Sequence, residues 1–455
     1  MRTFSDRPVS GQRGDGRWRE LRRWLQPGLG VKRWLGLLII GTTLIGLGLA
    51  ILLLDVYRMY PTSPWLAFLS LRILPRWLRA LVFGGMGVTF AVVGVMRLNR
   101  TLLAPYLRPG KSVVDVVANH RRLGRGPRIV AIGGGTGLST LLRGLKHQTG
   151  NLTAIVTMAD DGGSSGRLRR SLGLPPPGDL RNCLAALSDD EDLLTRLFQY
   201  RFREGEELDG HSFGNLFIAA LAGATGSFDR GILEAGRVLA VRGRVLPATL
   251  KDIALIAEKT DAFETQSIQV EGESRIPSAP GRIRRIRLMP ENAPAYPEAI
   301  HEILNADMIV IGPGSLYTSI IPNLLIPDIV AAIRTSRAFR VYVCNVATQD
   351  GETDSYTCAQ HLEAIEEHAQ ARLIDLVVAN DHIHHPLPEG VILVPPPLGN
   401  LPTAPVYSTD LVDAEQPWRH DPHKLGDTLL SLLEERTGPL ELPPQLVEEE
   451  PNGLV

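Results

Sequence analysis

The sequence predicts an α/β fold: a mainly parallel sheet with helices on both faces and a small β insertion, preceded by a two-helix transmembrane hairpin near the N-terminus. Three observations predict it. Arg128-Ile-Val-Ala-Ile-Gly-Gly-Gly-Thr-Gly-Leu-Ser139 is a short apolar run, then a glycine turn, then the apolar spacing of a helix over Leu138 to Leu145. Downstream, short β-branched runs alternate with helical patterns, the signature of a parallel sheet with crossover helices. Upstream, two apolar segments lack charge, 34–54 and 80–96.

The first of these segments, Trp34 to Leu54, is long enough to cross a bilayer, and the second, Ala80 to Met96, is near the lower limit. A buried or interfacial helix is the alternative for the second. The basic residues before the pair (Arg17, Arg19, Arg22, Arg23, Lys32, Arg33) and after it (Arg97, Arg100, Arg108, Lys111) assign both flanks to the cytoplasm, although the connecting loop carries Arg58, Arg72, Arg76 and Arg79. The apolar cores hold no acid, Lys or His, the groups that a transport pathway needs, so the hairpin reads as an anchor in the cell membrane. On this reading 1–33 is a basic cytoplasmic segment, 97–127 a linker with a short helix around Val113 to Ala118, 128–436 the main cytoplasmic domain, and 437–455 a disordered acidic tail rich in Pro and Glu.

Strands are expected at Leu152 to Thr157, Met308 to Ile311, Arg340 to Cys344 and Leu373 to Val378, with helices near 193–200, 214–223, 229–240, 297–305 and 357–369. The interval 245–290 differs: Leu246 to Glu258, Glu264 to Val270 and Arg282 to Met289 read as antiparallel strands of an insertion or rim. A last amphipathic helix runs from about Gly426 to Glu435. The net charge of −1 and an aromatic content of 6% argue against a nucleic-acid binder. Cys183, Cys344 and Cys358, with no CxxC spacing, read as thiols in a reducing compartment.

The candidate site is a set of polar loops at the carboxyl ends of the strands, where open α/β sheets bind ligands. Gly133, Gly134, Gly135, Thr136 and Gly137 form a turn that can bring backbone N–H groups to phosphate. A tight connection with no ligand is the plainer alternative, and neither G-x-G-x-x-G nor a Walker A loop is present. After the next strand come Asp160, Asp161, Gly162, Gly163, Ser164, Ser165, Gly166 and Arg167. One carboxylate can accept from a sugar hydroxyl and one can hold Mg²⁺, so Asp160 and Asp161 are the candidate metal ligands. Ser164, Ser165 and Arg167 suit phosphate oxygens. A helix cap explains one of the two acids and leaves the rest of the run unexplained.

Asp179, Arg181 and Asn182 open a further helix. Capping accounts for Asp179, whereas Arg181 and Asn182 suit the helix dipole poorly and point to a ligand. Asn215, after Gly214, offers a donor and an acceptor to a base or sugar edge. His211 reads as a surface residue at a helix start. Gly312, Pro313, Gly314 and Ser315 repeat the strand-to-turn logic as a second anion site, and Asn345 to Thr353 is a third polar loop. His382, His384 and His385 read as a solvated loop, not a metal tract.

Taken together, Gly-Gly-Gly-Thr-Gly at 133–137, Ala-Asp-Asp-Gly-Gly-Ser-Ser-Gly-Arg at 159–167, Pro-Gly-Asp-Leu-Arg-Asn at 177–182, Phe-Gly-Asn-Leu at 213–216, Gly-Pro-Gly-Ser-Leu-Tyr-Thr-Ser at 312–319 and Asn-Val-Ala-Thr-Gln at 345–349 closely resemble the YvcK-like gluconeogenesis factors, which are similar in fold to the CofD-type 2-phospho-lactate transferases. The resemblance covers about 128–436. It implies a Rossmann-like domain that binds a UDP-sugar such as UDP-N-acetylglucosamine, and a role in cell shape and envelope synthesis during gluconeogenic growth. It also implies that the Gly133–Gly137 turn, Asp160, Asp161, Asn182, Asn215 and the Gly312–Ser315 loop line the site. Binding without turnover is the favoured expectation, with Mg²⁺ as an optional cofactor. Partners would be proteins of envelope synthesis, and a homo-oligomer is left open. The competing expectation is a Mg²⁺-dependent transferase acting on a nucleotide-diphosphate-linked substrate. A nicotinamide-dependent dehydrogenase is disfavoured by the failed fingerprint. The membrane hairpin is a departure from the soluble members of that family.

Overall fold

The computed structural model describes residues 31–59, 64–69, 71, 73–103, 122–188, 191–204, 208–261, 266–383, 387–396 and 399–437. The expected short helix around 113–118, the tail beyond 437, His384 and His385 lie outside the described residues. The chain forms two compact units, Met1–Arg122 and Leu123–Val455.

In the N-terminal unit, helices span Val31–Met59 and Arg76–Leu103, with a short helix Pro64–Leu69 between them in sequence. Both run past the apolar segments read from the sequence, because the flanking Leu, Arg and Met residues are good helix formers and nothing stops them. The second helix holds an 18-residue span, Trp77–Gly94, with mean hydropathy 1.5 and no buried residue. In the first helix the apolar stretch among the described residues is Ile40–Ile51. One helix, not two, is therefore by itself long and apolar enough to cross a membrane among the described residues.

The second unit is built on a seven-stranded sheet. Its strands are β1 (Ile129–Gly133), β2 (Leu152–Val156), β3 (Arg244–Pro247), β7 (Met308–Ile311), β8 (Phe339–Val343), β9 (Leu376–Asn380) and β10 (Val406–Thr409), in the spatial order β10-β9-β8-β7-β1-β2-β3. Every neighbouring pair is parallel. Ile129 pairs with Leu152 on one side and Met308 on the other, so β1 is the centre from which the chain works outward in both directions. Right-handed crossovers travelling in opposite directions put their helices on opposite faces. Accordingly, helix Gly135–Leu145 packs with Gly178–Leu187 and the C-terminal helix Pro422–Thr437, while Pro297–Leu304 packs with Pro327–Thr335. With both faces covered, β1, β2 and β7 are buried at every residue, which is why they are nearly continuous apolar runs with no alternation, broken only at Thr153, whose hydroxyl donates to Glu302 Oε2.

Between β3 and β7 the chain forms a three-stranded antiparallel sheet, β5-β4-β6, from β4 (Ala254–Thr260), β5 (Ser267–Glu271) and β6 (Arg282–Met289). This is the expected insertion, with one correction. Leu246 to Glu258 is not one strand: its start belongs to β3 in the main sheet, and only the part from Ala254 enters the small one. Apolar runs on either side of Thr249 look alike in sequence, and pairing partners distant in the chain divide them. The strand β10 was not legible, since Val406–Thr409 is short and only half-buried at the sheet edge.

Candidate functional site

The order of the sheet reverses direction between β1 and β7, and the loops leaving their carboxyl ends meet there, the place where open α/β sheets form a ligand crevice. β1 ends at Gly133 and helix Gly135–Leu145 starts almost at once. Gly134 at its N-cap has no side chain to cap the free N–H groups. A carboxylate from elsewhere does so: Asp179 accepts from the Gly135 N–H. Two of the glycines are demanded by the protein itself. A Cβ on Gly134 would lie 2.5 Å from Asp179 Oδ2, and one on Gly137 would lie 2.5 Å from the Pro313 carbonyl oxygen. The glycine turn thus lets the β2 and β7 loops close in, as well as leaving Gly135 and the exposed Thr136 at the crevice.

The β7 loop, Gly312–Ser315, is held from the β8 loop. Gly314 N–H donates to Asn345 Oδ1 at 3.1 Å, Asn345 Nδ2 donates to the Gly314 carbonyl at 2.7 Å, and Gln349 Nε2 donates to Ser315 Oγ at 2.7 Å. A π-helical turn, Leu316–Ile320, follows, a local irregularity frequent at functional sites. The three loops read separately from the sequence are therefore one connected edge.

At the end of β2 the structure separates the two adjacent acids. Asp160 Oδ1 accepts from Gly162 N–H at 2.9 Å, and its side chain also meets Ser165. Asp161 has a different partner: its Oδ1 accepts from Ser274 N–H at 2.9 Å, in the turn after β5. The glycine-serine run is not a free turn: helix Gly163–Leu172 begins inside it, with no side-chain cap at Gly162. Both serines are buried. Ser165 Oγ accepts from Asn215 Nδ2 at 3.3 Å, and Ser164 Oγ lies 3.1 Å from His211 Nδ1.

Asn215 is 2% exposed, and its Oδ1 has no hydrogen-bond partner among the described residues. Arg181 donates to Ser212 Oγ at 2.7 Å and to Asn182 Oδ1 at 3.0 Å, so Arg181 and Asn182 form one polar ridge beside Asn215. Arg167 is directed at Gly210 and His211. His211, read from the sequence as a surface residue, is instead buried against Ser164, and burial first and Arg167 second hold its imidazole below the usual histidine range. Nothing local in the sequence pairs residues 164 and 211.

Acidic groups dominate the field of the crevice. Burial, and then Asp160, push Asp179 up to about 6. Asp160 is itself raised, mainly by burial. Glu273, on the short 3₁₀ turn after β5, is pushed up to about 8 by burial and then by Asp160, Asp179, Glu352 and Asp161. Glu352, 6% exposed, accepts from Thr318 Oγ1 at 3.0 Å, while its Oε2 has no partner among the described residues. Sequence reasoning missed Glu273 altogether, because a Gly-Glu-Ser turn in an insertion carries no signal, and it gave Glu352 no role. Among the described residues no group of three or more His, Cys, Asp or Glu is gathered as a metal cage. Mg²⁺ takes hard oxygen ligands and retains several waters, so one or two carboxylates next to phosphate suffice for it, and Asp160 has the right chemistry.

Comparison with known proteins gives a consistent picture. The profile of the family described as "2-phospho-L-lactate transferase CofD" matches residues 129–389. A Nostoc sp. relative is 52% identical over 364 residues, covering 79% of this chain and 78% of its own. The Bacillus subtilis protein named "Gluconeogenesis factor" is 53% identical over 258 residues, 57% of this chain and 80% of its own. A Deinococcus radiodurans relative is 39% identical over 446 residues, 94% of this chain and 93% of its own. The crystal structure of a member of the UPF0052 family from Bacillus halodurans is 44% identical, with a TM-score of 0.61, and the match covers 67% of this chain and 99% of that one.

Proposed function

Because this chain belongs to the CofD family and, within it, to the gluconeogenesis factors, we propose that it is a membrane-tethered regulatory protein that binds a UDP-sugar, of the class of UDP-N-acetylglucosamine, and serves cell shape and envelope synthesis under gluconeogenic growth. One observation carries the reading: the glycine turn after β1, the Asp160 loop after β2 and the Gly312–Ser315 loop after β7 converge at the point where the sheet reverses direction. The site residues are Gly133 to Gly137, Asp160, Asp161, Ser164, Ser165, Arg167, Asp179, Asn182, Asn215, Gly312, Gly314 and Ser315. The open acceptor of Asn215 suits an N–H of a uracil or acetamido group.

A diphosphate brought near Asp160, Asp179, Glu273 and Glu352 meets like charge unless protons or a divalent cation intervene. Mg²⁺ held by Asp160, with Asp161 as the second candidate, would supply that charge. Nothing in the arrangement demands a reaction. Ser164 and His211 are in contact, but both are buried and no carboxylate orients the imidazole among its described hydrogen bonds. Tethering rests on Trp77–Gly94, with Val31–Met59 as the companion helix of a hairpin and the main domain on the cytoplasmic side. Proteins of envelope synthesis would be its partners, and self-association is compatible with the role.

Calorimetric titration of the full-length chain in detergent with UDP-N-acetylglucosamine and Mg²⁺, followed by product analysis of the mixture, tests this. Saturable, chelator-sensitive binding with intact nucleotide sugar is expected. Release of nucleotide would establish the transferase reading in its place, and absence of binding would remove the ligand assignment.

A further inference from the structure

The small antiparallel sheet meets the β2 loop at the turn Gly272–Arg275 after β5. Two contacts hold that turn to the β2 loop. Asp161 Oδ1 accepts the Ser274 N–H at 2.9 Å, and Asp161 Oδ2 lies so close to Gly272 that a Cβ there would collide with it. Gly272 also has φ +103, a conformation that other residues rarely adopt. Between these two held residues stands Glu273. The residue is half-buried, and its carboxyl group lies in the field of Asp160 and Asp161 on the β2 loop, Asp179 on helix Gly178–Leu187 and Glu352 on the β8 loop. Cations act on its neighbours: Arg181 on Asp160 and Asp179, and Lys259 on Glu352.

A half-buried carboxyl in the field of four others, with no ion pair among its described contacts, is unfavourable for folding and is kept where it has a use. One of those neighbours supports such a use: Glu352 is 6% exposed, and its Oε2 has no hydrogen-bond partner among the described residues. The adjacent acids Asp160 and Asp161, which the sequence presents as a pair, thus divide the work: one faces the crevice and the other holds a turn.

We propose that Glu273 is a ligand-contacting residue delivered to the phosphate end of the site by the β insertion, where its carboxylate would accept from the water shell of the Mg²⁺ that offsets the diphosphate's charge, and that Asp161 is its positioning residue. The inference rests on the reading of the crevice as a nucleotide-sugar site. It makes the insertion part of the binding surface, and it moves Asp161 from the metal to the scaffold.

The test is calorimetry on the full-length chain in detergent with UDP-N-acetylglucosamine and Mg²⁺, comparing wild type with Glu273→Ala, Asp161→Ala and Asp161→Asn. Glu273→Ala is expected to weaken binding about tenfold, the effect of one lost hydrogen bond to a charged group, while its melting temperature stays level or rises. Asp161→Ala should weaken binding similarly and speed amide exchange at Ser274. Asp161→Asn still offers an oxygen to Ser274 N–H, so it should lose less affinity than Asp161→Ala and keep slow exchange at Ser274.

Wild-type affinity in Glu273→Ala overturns the contact. An Asp161→Asn protein as impaired as Asp161→Ala, with slow exchange at Ser274, overturns the positioning role and makes Asp161 a metal or phosphate ligand. If Asp161→Ala does not fold, the Asp161→Asn arm decides. If wild type does not bind the nucleotide sugar, the proposed ligand falls and the same chains are titrated with magnesium pyrophosphate. The same pattern there upholds the inference, and equal binding in all four, or none in wild type, overturns it.

Discussion

Asp179 spends its charge on the protein's own backbone. It satisfies the N-terminus of helix Gly135–Leu145, a place where many α/β proteins seat a phosphate. The service is unfavourable to its own ionisation, because the group is buried beside Asp160. An acid raised from an unfolded value near 3.9 to about 6 favours the fold fully below the lower value, and that contribution is lost as the pH rises through the upper one. Asp179→Asn keeps an acceptor for Gly135 N–H and removes the titration. Relative to wild type, the variant should gain stability between pH 4 and 7, by about 2–3 kcal/mol at the upper end. Denaturant melts at pH 4, 5.5 and 7 measure it, and parallel pH profiles for the two proteins would refute the assigned environment.

Gly137 is the counterpart in steric terms. Its neighbour is a carbonyl oxygen of the β7 loop at 2.5 Å from where a Cβ would stand, and backbone cannot step aside as a flexible side chain can. Gly137→Ala should cost about 1–3 kcal/mol by overpacking and should loosen the Gly312–Ser315 loop. A variant that melts like wild type would mean that the two loops are not in contact.

Among elements, the small sheet is the one whose attachment matters most. Lys259 on β4 is fully buried and makes no ion pair among its described contacts. Its Nζ donates instead to the carbonyls of Ile276 at 2.9 Å, Ala279 at 2.6 Å and Gly351 at 3.0 Å. Burial holds its ammonium below the usual lysine range, and Asp354, Glu352 and Asp350 oppose that shift. One side chain thus ties the 3₁₀ turn region to the β8 loop, whose Gln349 holds Ser315. Lys259→Met preserves the apolar stem and leaves those carbonyls without a donor, at roughly 1–3 kcal/mol. Amide exchange should quicken over 267–289 and 349–353 while β1, β2 and β7 keep their protection. Uniform loss of protection would show instead that the insertion and the main sheet unfold as one cooperative unit.

For the whole molecule, the division at Arg122 and Leu123 predicts that a chain beginning at Leu123 folds, with β1 and the crevice intact, since the contacts of the parallel sheet all lie beyond that point. It should stay in the aqueous phase of a detergent partition, where the full chain moves to the detergent phase through Trp77–Gly94. Full-length protein remaining in the aqueous phase would remove the tether.

Much of this architecture is legible in the sequence. Strands buried on both faces must be apolar throughout, so Ile129–Gly133, Leu152–Val156 and Met308–Ile311 announce themselves, and glycine runs at their ends mark where loops must be tight. Covalent neighbourhood determines such things: the periodicity of a segment, its breakers and its polar turns are properties of the segment alone. Juxtaposition across the chain is not. That β3 joins the main sheet while β4 leaves it, that Asp160 and Asp161 have different partners, that His211 meets Ser164 and that Glu273 joins the crevice were all decided by pairing between residues dozens of positions apart. The local sequence carries no record of which distant group will arrive, so the chemistry of the site's loops could be read from the sequence, but its electrostatics only from the tertiary structure.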